Sequence, residues 1–204
     1  MHAKSGLRVV LKWKIFRPDS VIAAVRPIAL SMADSPRKLE LTPFPPLEWT
    51  EYDWWSGTAD LMIGIGDLAI SVSDSSADKL PSESQRNAMA YHLEHEERIN
   101  GSLFEDLRKH YDRIRPDYVE FLGADATSLM PKIDDVGDLE SLVFFTGLFI
   151  HPWTKSGHAF VGLQFNCEWE MEHALGVLML KDRVVDIGYA DVAFSPSRRF
   201  RTNT

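Results

Sequence analysis

The stretch HAFVGLQFNCEWEMEHALGVLMLKDRVVDIGYAD, His158 to Asp191, decides the fold. Two apolar runs, Ala159 to Phe165 and Leu175 to Leu180, flank a polar and aromatic insert, Asn166 to His173. A third apolar run, Val184 to Tyr189, follows a short charged turn. Strand-length apolar runs separated by turns are typical of neighbouring antiparallel strands. The stretch therefore predicts paired strands, with the insert at one end of a sheet.

The insert is where we first look for chemistry. A thiol nucleophile needs a histidine base and an orienting group. Cys167 instead lies between a buried run and Trp169, where a lone cysteine is usually a small core residue. A metal site needs three or four ligands, and the adjacent Glu172 and His173 point to opposite faces of an extended segment. We therefore expect no catalytic residue, metal or cofactor. The metal alternative requires a histidine from elsewhere: His110, His151 or His158.

A structural role explains the insert more simply. Trp169 can cover the end of the sheet, while Glu172 or His173 bonds to backbone groups left unpaired where the insert interrupts the strands. Gly176 and Gly188 permit a close approach of backbone or a bulge.

Earlier segments predict a hairpin and a helical pair. Trp54 to Leu61 and Leu68 to Ser73 alternate in polarity and predict the hairpin, with Gly64 and Gly66 near its reversal. Ser82 and Gln85 form a capping box that opens a helix. Its apolar spacing continues to Arg115, with a break expected at Gly101 and a separate short helical segment after Pro116.

The fold class predicted from these patterns is α+β. A mainly antiparallel sheet of five or more strands carries a helical pair, residues 82–123, packed on one face. A further strand runs from Val143 to His151, and Pro152 is expected to end it. Residues 1–38 form a basic extension, consistent with a start codon assigned too early. Residues 39–194 form one α+β domain, and residues 195–204 a frayed tail.

The charge distribution constrains the partners. The net charge is −8. Residues 1–31 hold six Lys or Arg and one Asp, which is +5, so the remainder carries −13. A domain that acidic repels nucleic acid and favours a basic protein partner. The alternative is that the acidity only keeps a cytoplasmic protein soluble. The single cysteine indicates a reducing compartment. Because no run of about 18 apolar residues occurs, we expect a cytoplasmic protein without a membrane span. The sequence sets no oligomeric state.

One segment resembles the signature of an uncharacterised bacterial domain family, Cys-x-Trp-Asp/Glu-x-Glu-His-Gly-x-Gly-Val. The matching residues run from Cys167 to Val177 (CEWEMEHALGV). The family's following strand, early Trp-x-Gly hairpin and central helical pair are similar to residues 183–188, 55–57 and 82–115. The resemblance covers residues 43–194 and departs at Ala174, where the pattern has Gly. If that glycine needs a positive φ, Ala174 is strained. The resemblance implies no reaction, but it implies a small cytoplasmic protein like the immunity proteins found beside secreted toxins.

The function we expect is non-enzymatic binding, as an immunity-type inhibitor of a bacterial toxin that acts through an acidic surface. The basic partner would be the cognate toxin. The candidate binding residues are Glu168, Trp169, Glu172, His173, Trp54 and Trp153. The alternative is a metal-dependent hydrolase that uses the Glu168–His173 insert. A third possibility is a structural domain with no partner beyond itself.

Overall fold

The computed structural model describes residues 37–72, 80–170 and 172–201. The expectations for residues 1–36 of the basic extension and for residues 202–204 of the tail lie outside the described residues.

One sheet of eight strands organises the described chain, and the strands lie side by side in sequence order. Every neighbouring pair is antiparallel except β4 and β5, which are parallel. The prediction of an α+β protein with a mainly antiparallel sheet of at least five strands is therefore confirmed. The strands are β1 (Lys38–Leu39), β2 (Leu47–Trp49), β3 (Trp54–Leu61), β4 (Gly64–Ser71), β5 (Val143–Lys155), β6 (His158–Cys167), β7 (Leu175–Leu180) and β8 (Arg183–Gly188).

The helices lie mainly in the connection between the two parallel strands, because parallel neighbours need a crossover. They are α1 (Glu83–Glu94), α2 (Glu96–Leu122), α3 (Ala126–Leu129) and α4 (Val136–Glu140), while α5 (Asp191–Phe194) follows β8. The capping box predicted at the start of α1 is present: Gln85 N donates to Ser82 Oγ, and Ser82 N donates to Gln85 Oε1. Gln85 Nε2 also donates to Ser71 O and Ile150 O, which fixes α1 to the sheet.

The predicted helix breaks were wrong. The helical segment is interrupted at His95, which has a φ of −127° and separates α1 from α2. Gly101 lies inside α2. Glycine costs a helix interior only about 1 kcal/mol, and the buried Ile99 and Leu103 on either side of Gly101 outweigh that cost. The helix also continues through Pro116 to Leu122.

The expectation that Pro152 ends the strand was also wrong. β5 continues to Lys155, with a register irregularity between Ile150 and Thr154. Proline cannot donate to a strand ladder but is tolerated at such a bulge. The hairpin then turns at Ser156 and Gly157, which both have positive φ, as a two-residue turn requires.

Apolar side chains of α1, α2 and the sheet form one core, in which Leu103, Leu148 and Phe165 are fully buried. α5 approaches β6 and β7 at two glycines. A Cβ added to Gly162 would lie 1.9 Å from Ala193 O, and one added to Gly176 would lie 2.9 Å from Ala193 N and 2.5 Å from Tyr189 O, just before the helix. The close backbone approach predicted at Gly176 is therefore present.

Residues 195–201, assigned to a frayed tail from the sequence, contact the sheet. Phe200 packs against Phe160, and the guanidinium of Arg201 lies over the ring of Trp153.

Candidate functional site

The insert connects β6 to β7 and is held at three points by backbone hydrogen bonds. Glu168 N donates to Leu142 O, Ala174 N to Glu170 O, and Ala190 N to His173 O. Ala174 has a φ of 55°. This is the left-handed region that glycine adopts most easily, so the alanine at this position is strained.

Trp169 is a core side chain rather than a surface anchor. Its exposed fraction is 6%, and its ring meets Tyr111 edge to face, with centroids 5.0 Å apart. The expectation that Trp169 covers the sheet end fits this burial. Trp169 can reach a partner only through the cavity that it lines, described below.

A hydrogen-bonded cluster is centred on Glu170. Tyr118 Oη donates to Glu170 Oε2 at 2.6 Å. His173 Nδ1 lies 3.0 Å from Glu170 Oε1, and His173 N donates to the same oxygen at 3.3 Å. The sequence predicted that the side chain of Glu172 or His173 bonds to an unpaired backbone group. The side chain that does so here is that of Glu170, which accepts from His173 N.

The electrostatics keep this cluster anionic. Burial raises the pKa of Glu170, but the hydrogen bonds from Tyr118 and His173 outweigh it and hold that pKa below its usual range. The pKa of Tyr118 is raised well above its usual value by burial, and further by its hydrogen bond to Glu170. Tyr118 therefore stays protonated and donates, while Glu170 stays charged.

Cys167 is unsuited to nucleophilic chemistry at neutral pH. The side chain is buried, and its thiol lies 3.9 Å from Glu170 O. Burial raises the pKa of Cys167 to about 12, so the thiolate that would attack a substrate is scarce. This agrees with the expectation of a small core residue.

A cavity of about 200 Å³ opens beside Glu170. Its walls come from α2, the insert, the start of β7 and the segment after β8. They include His110, Tyr118, Trp169, Glu170 and Tyr189. Burial, and next Arg113, lowers the pKa of His110, and His110 Nδ1 lies 2.9 Å from a guanidinium nitrogen of Arg113.

The six candidate binding residues do not form one surface. Glu168 is half-buried, and Glu172 and His173 are exposed at the insert. Because Trp54 pairs with Ser71, and Ile70 with Ile150, Trp54 lies at the opposite end of the sheet, as does Trp153. Trp153 also stacks on His151.

The fold instead collects three acidic segments at the insert end, which we call the acidic end: residues 117–125, 134–140 and 168–172. They contain ten Asp or Glu and no Lys or Arg. The Tyr118–Glu170 bond joins the first to the third, and the bond from Glu168 N to Leu142 O places the third beside the chain that follows α4. Phe121, within the first segment, is 85% exposed.

The sequence analysis did not single out Tyr118, Glu170, Tyr189 or Phe121 as site residues. A local signal existed only for Glu170, which belongs to the insert. Tyr118 lies 52 residues from Glu170 along the chain, and only the packing of α2 brings the two together.

Within the described ranges, no group of three or more His, Cys, Asp or Glu is placed to hold a metal ion. The helices found there are all too short or too polar to cross a membrane.

Residues 44–194 match the model of a family described as a domain of unknown function (DUF6985). The chain belongs to this family. No curated protein and no solved structure matches the chain. The insert, the Glu170 cluster and the acidic end all lie inside the DUF6985 match.

Proposed function

We propose that this DUF6985 protein is a bacterial, immunity-type inhibitor that binds a basic toxin in the cytoplasm without catalysing a reaction. The observation that carries the proposal is the acidic end. It contains ten Asp or Glu residues from three segments, eight of them exposed, with the exposed Phe121 among them. Opposite charge speeds the encounter with a basic partner, and an aromatic side chain is a typical anchor at the centre of an interface.

The positions of several acidic residues support this reading. Asp135 and Asp138 form the capping box of α4, which holds both carboxylates in place. Glu168 and Glu172 lie on the insert, whose backbone is bonded to neighbouring segments. The carboxylates of Asp135 and Asp138, which the capping box already holds, lose little side-chain entropy on binding.

The experiment starts from the protein encoded by the adjoining gene. We expect that protein to be basic and to stop growth when expressed alone, and we expect co-expression of the DUF6985 protein to restore growth. The association rate, measured by stopped flow, should fall about tenfold or more between low and physiological salt, while dissociation changes less.

A matched pair of variants localises the interface. Glu168→Lys with Glu172→Lys should slow association at low salt. Glu40→Lys with Glu51→Lys makes the same change in net charge outside the acidic end and should leave the rate nearly unchanged. Equal effects of the two double variants would reject the acidic end as the interface. The metal-dependent alternative would be supported instead by a hydrolytic activity that meets two conditions. A chelator should remove it, and the double variant Glu168→Lys with Glu172→Lys should abolish it.

A further inference from the structure

The cavity beside Glu170 is sized for a single side chain. Its volume is about 200 Å³, whereas pockets for drug-sized ligands span about 300–1,000 Å³. Its lining combines the aromatic residues Tyr118, Trp169 and Tyr189, the aliphatic Ile114 and the carboxylate residue Glu170.

Glu170 brings a negative charge with spare bonding capacity. Its side chain is only 15% exposed, and within the described chain its one ion pair is with His173, which carries charge only when protonated. A carboxylate offers about four acceptor positions. His173 uses two on Oε1, and Tyr118 uses one on Oε2. One acceptor position on Oε2 therefore has no donor among the hydrogen bonds of the described residues.

The aromatic residues around the cavity suit a cation. In the described part of the chain, Lys and Arg side chains lie over the rings of Tyr91, Trp153 and Phe200 only, so no Lys or Arg lies over Tyr118, Trp169 or Tyr189. The ring of His173 packs against one side of Tyr189, with centroids 4.8 Å apart. The lowered pKa of His110 keeps its ring neutral near pH 7, so it does not repel a positive charge. The guanidinium of Arg113, bonded to His110, is the nearby charge that a ligand must tolerate.

We propose that this cavity receives the ammonium group of a lysine side chain. An ammonium is a compact charge with three N–H donors. The position on Oε2 without a donor can accept one of them and water at the open mouth of the cavity the others, while aromatic rings favour a cation over their faces. Arginine binds a carboxylate best through two parallel bonds, and Oε1 already accepts two. The assignment of this lysine to a basic partner rests on the proposed function.

The test uses Nα-acetyl-lysine methylamide, which keeps the side-chain ammonium free, as the probe and the full chain as the receptor. Nuclear magnetic resonance monitors the binding. We expect saturable shifts of the Trp169 indole and of the Tyr118 and Glu170 amides, with a dissociation constant on the order of 1 mM. The norleucine analogue, which keeps the alkyl chain without the charge, should cause none. The arginine analogue should bind more weakly.

Two variants and one control place the probe in the cavity. Glu170→Gln should weaken binding about tenfold. Glu105→Gln is the control: it removes an exposed charge of α2 that lies outside both the cavity lining and the acidic end, and its dissociation constant should stay within about twofold. Tyr189→Ala should weaken binding about threefold. Because Tyr189 is 53% exposed, this variant retains the test if Glu170→Gln fails to fold.

The outcomes separate this inference from the proposed function. No shift at about 10 mM probe, tenfold above a millimolar dissociation constant, or equal binding of the norleucine analogue, overturns the lysine site. The lysine site is also overturned if a basic partner binds with unchanged affinity to both Glu170→Gln and Tyr189→Ala, although the proposed function then stands. Specific binding of the lysine probe by a protein that protects against no toxin keeps the site and rejects the inhibitor function.

Discussion

Replacing Trp169 with alanine tests the architecture that supports the site. The side chain is 6% exposed, and a buried indole removes about 150–250 Å² from water. At about 25 cal/mol per Å², this burial is worth about 4–6 kcal/mol, and measured changes from aromatic residues to alanine in cores cost about 3–5 kcal/mol. Trp169 also lines the open cavity of about 200 Å³, so water can enter the space that the ring leaves. We therefore expect a loss of about 3–4 kcal/mol in the free energy of unfolding.

Urea denaturation and calorimetry of Trp169→Ala measure that loss, which corresponds to a fall in Tm of about 10 °C for a chain of this size. Trp54→Ala is the matched control, because Trp54 is half-buried at the start of β3 and stacks on the exposed Tyr52. It should cost about 1 kcal/mol. If the two variants lose the same amount, or if Trp169→Ala loses less than about 1 kcal/mol, the core role of Trp169 is refuted.

Three further predictions concern strain, pH and close packing. Ala174→Gly should raise the free energy of unfolding by about 1 kcal/mol, because Ala174 has a φ of 55°. The same change at the exposed Ala90 within α1 should lower it by about 1 kcal/mol, and denaturation of both variants checks the opposite signs. Burial lowers the pKa of His92 and of His151 to about 4, below the unfolded value of 6.5, so the unfolded chain binds protons first. The free energy of unfolding should therefore be highest above pH 6.5 and fall by about 2 kcal/mol per histidine between pH 7 and pH 5. Chemical denaturation that gives the same free energy of unfolding at both pH values would contradict this. Gly162→Ala should cost several kcal/mol and expose α5 to proteolysis, because the added Cβ would lie 1.9 Å from a backbone oxygen of α5.

Local signals predicted the individual elements well. The apolar runs of residues 158–191 became β6, β7 and β8, and the Ser82–Gln85 capping box became the start of α1. Such signals act within a few residues, because a strand shows its alternation and a helix cap its hydrogen-bond partner in the neighbouring sequence.

Element ends and topology depended on distant contacts. A glycine such as Gly101 usually weakens a helix, yet here the buried residues around it keep α2 intact. The parallel pairing of β4 with β5 joins strands separated by the whole helical crossover. Nothing local specifies that pairing, since its free energy comes from apolar area buried between elements remote in sequence.

The candidate site divides in the same way. By itself the sequence determined the insert, the acidity of the domain and the strain expected if position 174 had a positive φ, because residue type and short-range spacing carry those properties. Only the tertiary structure decided that Trp169 is buried and that Trp54 and Trp153 lie at the other end of the sheet. It also decided that Tyr118 reaches Glu170, because a contact across 52 residues forms only when the packing of α2 against the sheet has overcome the entropy of closing that loop.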